Sequence, residues 1–242
     1  MAQIFTPIHN MFAKASLIVL IVLVNVFFIV NDAIHRSSYV RYTDVPRMQE
    51  VPFSHRHHAS MGIDCRYCHT SVEQSNFANI PPTKTCMNCH KIVWNEAPML
   101  EPVRSSWKNK EPMEWTRVHD LPDFAYFNHS IHIAKGVGCY TCHGNVADMP
   151  LMKREHPLFM KWCLDCHRDP TKHLRPAEFI TKMDFNINKD MTDELKVKYG
   201  LVDDEGHALA KVTQKQLGEA LVEHNSVDYK DHRLTNCAIC HR

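Results

Sequence analysis

Five stretches of this chain put two cysteines and a histidine in one order and spacing. They are Cys65-Arg66-Tyr67-Cys68-His69, Cys86-Met87-Asn88-Cys89-His90, Cys139-Tyr140-Thr141-Cys142-His143, Cys163-Leu164-Asp165-Cys166-His167 and Cys237-Ala238-Ile239-Cys240-His241. On a helical turn, residues at i, i+3 and i+4 share one face. Two thiols there can form thioethers to a porphyrin edge while the adjacent imidazole reaches the iron. This is the attachment chemistry of c-type haem. The five copies use all 10 cysteines. Disulfides or Cys/His zinc sites would also use cysteines, but neither requires a histidine after every second one. The pattern predicts five covalently bound haem c groups. Their thioether positions are the ten cysteines, and their proximal iron ligands are His69, His90, His143, His167 and His241.

Each such iron has a sixth position. Closed by His or Met it transfers electrons; open, it can bind a substrate. An internal repeat supplies candidates. Phe53-Ser54-His55-Arg56-His57-His58 lies 12 residues before Cys65, and Phe127-Asn128-His129-Ser130-Ile131-His132 lies 12 before Cys139. Both read FxHxxH. Side chains at i and i+3 of a helix diverge by about 60°, so one imidazole can serve its own unit's haem and the other a neighbouring haem. His55, His58, His129 and His132 are therefore distal candidates. His119 is the fifth, and Met149, just after the third motif, is a further candidate that would raise one potential. No nucleophile–base pair, Gly-rich phosphate loop or HExxH is present. The motifs support one-electron transfer, with no catalytic site of the chain's own.

The elements that must position these groups are constrained by length. A chain of 242 residues offers about 48 per motif, too few to wrap each cofactor in its own apolar core. The expected fold is mainly α with much coil, a multihaem cytochrome c of tandem di-haem units resembling class III, with one N-terminal transmembrane helix. With 7 Gly and 13 Pro, the connections should be irregular but stiff. Lys+Arg of 28 against Asp+Glu of 27 gives a net charge of +1, which argues against nucleic-acid binding.

In chain order, Ala15–Val30 is apolar. Extended to Phe12 and Ile34, it is long enough for a bilayer core of about 30 Å. It reads as an uncleaved signal anchor within 1–34. Lys14 before it and Arg36, Arg41 and Arg47 after it leave orientation open by charge. CxxCH ligation is an extracytoplasmic process and puts the haem domain on the periplasmic side of the inner membrane. Residues 35–176 hold the tandem units, 53–92 and 127–170, with a second CxxCH following the first by 21 and 24 residues. Such self-similarity indicates duplication of one structural unit. The connector 93–126 carries Trp94, Trp107 and Trp115 as expected aromatic anchors. Residues 177–242 read as a charged excursion, either solvated or docking a partner, followed by the fifth motif. Within it, short helices are expected at Asp193–Tyr199 and, from a capping box at Thr213 and Gln216, through Glu223.

Four segments carry a resemblance: 51–72, 80–91, 115–144 with its HDLPDFAYFNHSIH run, and 149–168. They closely resemble the pentahaem cytochrome c subunit of alternative complex III, a quinol:electron acceptor oxidoreductase. The likeness runs from the anchor to about Pro176. It implies a membrane complex of respiratory or photosynthetic electron transport, with the haem subunit on the periplasmic side. The implied partners are an iron–sulfur subunit resembling molybdopterin oxidoreductases, membrane subunits resembling polysulfide reductase, and a monohaem cytochrome c. Electrons from quinol would pass onward to a cytochrome c, a copper protein or an oxidase. A stand-alone membrane quinol dehydrogenase of the NapC/NrfH type is the alternative. It fits less well, since Cys65 lies far beyond Val30 and Thr70-Ser71 follow His69.

Overall fold

The computed structural model describes residues 6–241, as helices and coil. Among these residues there is no strand. Strand-like pairing is limited to three isolated bridges: Thr43 with Arg154, Val137 with Leu174, and Val202 with Ala208.

Helix α1 (Pro7–Arg36) begins with a proline at its first turn, where the missing N–H has no intrahelical partner to lose. Its 30 residues rise roughly 45 Å at about 1.5 Å each, so the helix overshoots 12–34 at both ends. It is apolar all round and has no buried residue, and it is long and apolar enough to cross a membrane. Asn25 donates from Nδ2 to Ile21 O at 2.8 Å, so its amide is satisfied within its own helix.

A short helix α2 (Ser38–Arg41) follows, and the neck is then strapped to a distant segment. The Asp44 N–H donates to Arg154 O at 2.8 Å and the Arg47 N–H to Met152 O at 3.1 Å. Lys153 pairs with Asp44 at 2.7 Å, and the Arg41 guanidinium lies 4.7 Å over the Phe159 ring.

The remaining helices are short: α3 (His55–Ser60), α4 (Cys65–Cys68), α5 (Thr83–His90), α6 (Glu101–Asn109), α7 (His129–Ala134), α8 (Cys139–His143), α9 (Met160–Arg168), α10 (Ile187–Asp190), α11 (Asp193–Lys198), α12 (Gln214–His224) and α13 (Cys237–Cys240). Their starts are written in the sequence. Ser54, Asp64, Asn128, Thr192, Thr213 and Asn236 each accept a backbone N–H at a helix N-cap, as short polar side chains do. The capping box at Thr213 and Gln216 is complete.

Apolar burial is segregated. Around the motifs it amounts to Val51, Leu100 and Val103, with Met87, Met113 and Trp115 packed on them. Trp94 and Trp107 stay half exposed, so the connector is anchored by the buried face of α6 and the turn before it rather than by three tryptophans. The larger core lies in the cysteine-free segment. Leu174, Met191, Tyr199, Leu201, Val212, Leu217 and Leu221 are buried together there. Residues expected as a charged excursion thus form the best-packed part of the chain, because the apolar stripe of α12 is masked in sequence by Lys215, Glu219 and Glu223, which stand before, between and after Leu217 and Leu221. The chain exposes 16847 Å², against roughly 11,000 Å² for a compact monomer of 28.1 kDa. The surplus lies on α1 and around the CxxCH turns, where Tyr67, Phe77, Ile131 and Tyr140 remain exposed.

Helix α12 packs on the turn 170–172 so closely that a Cβ on Gly218 would lie 2.0 Å from Thr171 O. Backbone cannot yield as a side chain does, so Gly218→Ala should cost about 1–3 kcal/mol. Chemical denaturation should show this loss while covalent haem content is unchanged. A variant as stable as the parent would mean that α12 is free to shift.

Candidate functional site

The two FxHxxH copies fold alike. In α3, Phe53 stacks on His58 (ring centroids 4.3 Å apart, 26° between planes) and meets His55 edge-on at 4.9 Å. In α7, Phe127 stacks on His132 (4.4 Å, 26°) and meets His129 edge-on at 4.7 Å. One phenyl ring thus sets the aim of both imidazoles. Gly62 and Gly136 then turn the chain at φ +78° and +90°, a region glycine enters without strain.

Most of the expected ligand histidines are held by Nδ1. Among the motif histidines, His69 donates to Asn79 O at 2.7 Å, His90 to Val93 O at 3.0 Å, His167 to Leu234 O and His241 to Phe124 O, both at 2.8 Å. Among the distal candidates, His58 donates to Ser54 O at 2.8 Å, His129 to Asn76 O at 2.9 Å and His132 to Asn128 O at 2.6 Å. A carbonyl can only accept, so Nδ1 carries the proton in each and Nε2 is left as the free donor for a metal. His143 Nδ1, His55 Nδ1 and His119 Nε2 are buried without a partner.

Three candidates face a motif histidine. Ring centroids are 6.2 Å apart for His58 and His90, 6.1 Å for His132 and His167, and 6.4 Å for His129 and His143. Two metal–nitrogen bonds of about 2.0 Å on opposite sides of one metal, plus the ring radius at each end, require roughly 6 Å. His55 lies in electrostatic reach of His69, as the repeat leads one to expect. His119 is different. It sits edge-on to His143 at 4.3 Å, too close for an iron between them, beside the third motif. Met149 is buried, its carbonyl receiving the Arg56 N–H of α3 at 3.1 Å. His57 is exposed.

None of the ten cysteines is in a disulfide. Burial pushes Cys139 up to about 11, Cys142 to about 12 and Cys166 to about 11. They are neutral near pH 7, which disfavours thiolate binding of a bare metal. No group of three or more His, Cys, Asp or Glu among the described residues is arranged to hold an ion. Opposed imidazoles, orphaned ring nitrogens and outward apolar side chains beside paired thiols do fit haem.

The motifs are not stacked in chain order. Cys86 lies in electrostatic reach of Cys68, and Asn88 donates to the Tyr67 hydroxyl at 3.1 Å. Cys139 lies in reach of Cys65, Cys142 of Cys166 and Cys163, and Cys163 of Cys240. The spatial order is second, first, third, fourth, fifth. It was not readable from spacing, because long-range contacts such as His129 to Asn76 and His241 to Phe124 set it.

Burial, aided by neighbouring cationic groups, holds His55 and His119 down to about 4 from 6.5. The unfolded chain therefore binds more protons between these values. For His119, which the geometry leaves off the iron, the stability involved is complete above about 6.5 and is lost as pH falls toward 4, on the order of 3 kcal/mol; His55 adds to this only in the haem-free chain. Denaturation midpoints should be flat above neutrality and fall across this window; a midpoint that rises on acidification would refute the burial of these rings.

No known family pattern matches the chain. It is similar to a protein of Nitratidesulfovibrio vulgaris described as "Menaquinone reductase, multiheme cytochrome c subunit", with 30% identity over 112 residues. That stretch is 41% of this chain and 53% of the relative, so the match spans about half the length of the relative. Motifs, geometry and likeness together support a multihaem cytochrome c with covalently bound haem.

Proposed function

We propose that the chain is a single-pass, membrane-anchored pentahaem cytochrome c. In this reading it relays electrons on the periplasmic side of the inner membrane, within a quinol-oxidising complex of the alternative complex III type. Haem iron, when bound, supplies one-electron transfer. The chain's own residues do the rest. The cysteines at i and i+3 hold each porphyrin edge. The backbone carbonyls at Asn79, Val93, Leu234 and Phe124 aim the motif imidazoles. His58, His132 and His129 would serve with the motif histidine as iron ligands at the second, fourth and third sites, and His55 at the first, while His119, packed on His143, is left off the iron.

One observation carries the reading: five motifs in a single file, each beside the next. The four sites with an opposing histidine would be six-coordinate, and such sites conduct and do not bind substrate. The α1 helix supports membrane attachment, and the relative's name supports coupling to a quinone. That name also favours a second direction, with electrons passing to menaquinone. The partners proposed are the iron–sulfur, polysulfide-reductase-like and monohaem subunits that the resemblance implies.

Two experiments test this. His58→Ala and His132→Ala should each turn one haem in five high-spin and open it to carbon monoxide, with covalent haem retained. An unchanged low-spin spectrum removes that histidine from the ligand set. Purification in mild detergent, with mass spectrometry and assays of quinol oxidation and menaquinone reduction on one sample, tests the assembly. A chain that runs alone and oxidises quinol would instead be the stand-alone dehydrogenase.

A further inference from the structure

The two units repeat in sequence and backbone but not in charge. The residue before the first cysteine is Asp64 in one copy and Gly138 in the other. Asp64 is exposed and ion-paired with Arg66 at 2.9 Å, and Arg66 also reaches Glu73 at 3.2 Å. The fixed charges there balance locally or face water.

At Gly138 the side-chain space is taken by Arg175. A Cβ on Gly138 would lie 2.4 Å from Arg175 Nε. Arg175 is half-buried, donates to Lys182 O at 2.8 Å and lies 5.9 Å from the Tyr140 ring and 5.3 Å from that of Phe185. No carboxylate pairs with it among the described residues.

A second half-buried guanidinium stands at the other end of the motif. Arg154 donates to Val118 O at 2.9 Å and to Arg41 O at 3.3 Å, again with no carboxylate partner among the described residues. It neighbours His119, which packs on His143. The nearby acids have other cationic partners. Glu155, against Gly144, shares Lys153 with Asp44, at 3.4 Å and 2.7 Å, and Asp120 pairs with Arg117 at 3.0 Å. The third site therefore carries unbalanced positive charge in a partly dry setting, where Coulomb effects exceed those in water. Positive charge favours the gain of an electron.

We propose that Arg175, seconded by Arg154, gives the haem held by Cys139, Cys142 and His143 a higher reduction potential than the haem held by Cys65, Cys68 and His69. One electron shared between these neighbours then rests on the third site. The proposal builds on the relay reading above and adds a gradient to it.

The test is a redox titration of the haem-loaded protein followed by electron paramagnetic resonance. The third-site component is identified as the one altered by Cys139→Ala. Arg175→Gln should lower its electron affinity about tenfold, which is about 59 mV for a one-electron couple. Arg175→Lys should keep most of the potential. Gly138→Ala should displace the guanidinium and lower the potential with the charge retained, which covers the case of a poorly folding Gln variant. The first-site component should stay in place throughout. If five low-spin components titrate unchanged in Arg175→Gln and Gly138→Ala, the gradient is overturned and the relay stands. If five one-electron components are not found in the parent protein, the relay reading falls and the proposal with it.

Discussion

An imidazole can offer one nitrogen to a metal in a defined direction only when its other nitrogen is held. Seven of the ten histidines expected at iron are held in this way, by backbone carbonyls. Carbonyls inside a helix are already engaged by the i+4 amide, so free acceptors come mostly from turns and coil. Asn76, Asn79, Val93 and Phe124 are all of this kind. The large share of irregular chain in the motif region is therefore the ligand scaffold itself, and its stiffness follows from hydrogen bonds rather than from packed side chains.

This division of labour explains where the apolar core lies. A region that presents its faces to porphyrins cannot also bury them in protein. The chain compensates in the cysteine-free segment, where α12 packs on the turn after the fourth motif. That core does not stand apart. Gln214 donates to Thr171 O and Leu174 O, and Lys135 of the α7 turn donates to Asn225 O at 2.7 Å. It braces the helix that carries His129 and His132 from behind.

The neck adds a second constraint. Its strap along 152–154 and the contact of Arg41 with Phe159 tie the segment that follows α1 to the start of α9, which carries the fourth motif, although the first motif is nearer in sequence. Arg154 joins the strap, the connector at Val118 and the neighbourhood of His119. The neck and the surroundings of the third site thus share one side chain.

The sequence alone determined the local chemistry. Five CxxCH motifs, two FxHxxH copies, the polar caps of the short helices and the apolar run of α1 are all written within a few residues, and local geometry follows from them. Tertiary structure decided what distance along the chain conceals. It set the second-first-third-fourth-fifth order of motifs, placed His119 against His143, and made a core of the segment that composition marked as charged. It also left Arg175 and Arg154 without carboxylate partners among the described residues, beside one copy of a repeat. The physical reason is the same in each case. Spacing encodes which groups share a helical turn, but burial, pairing and electrostatic neighbours depend on contacts between residues that only the folded chain brings together.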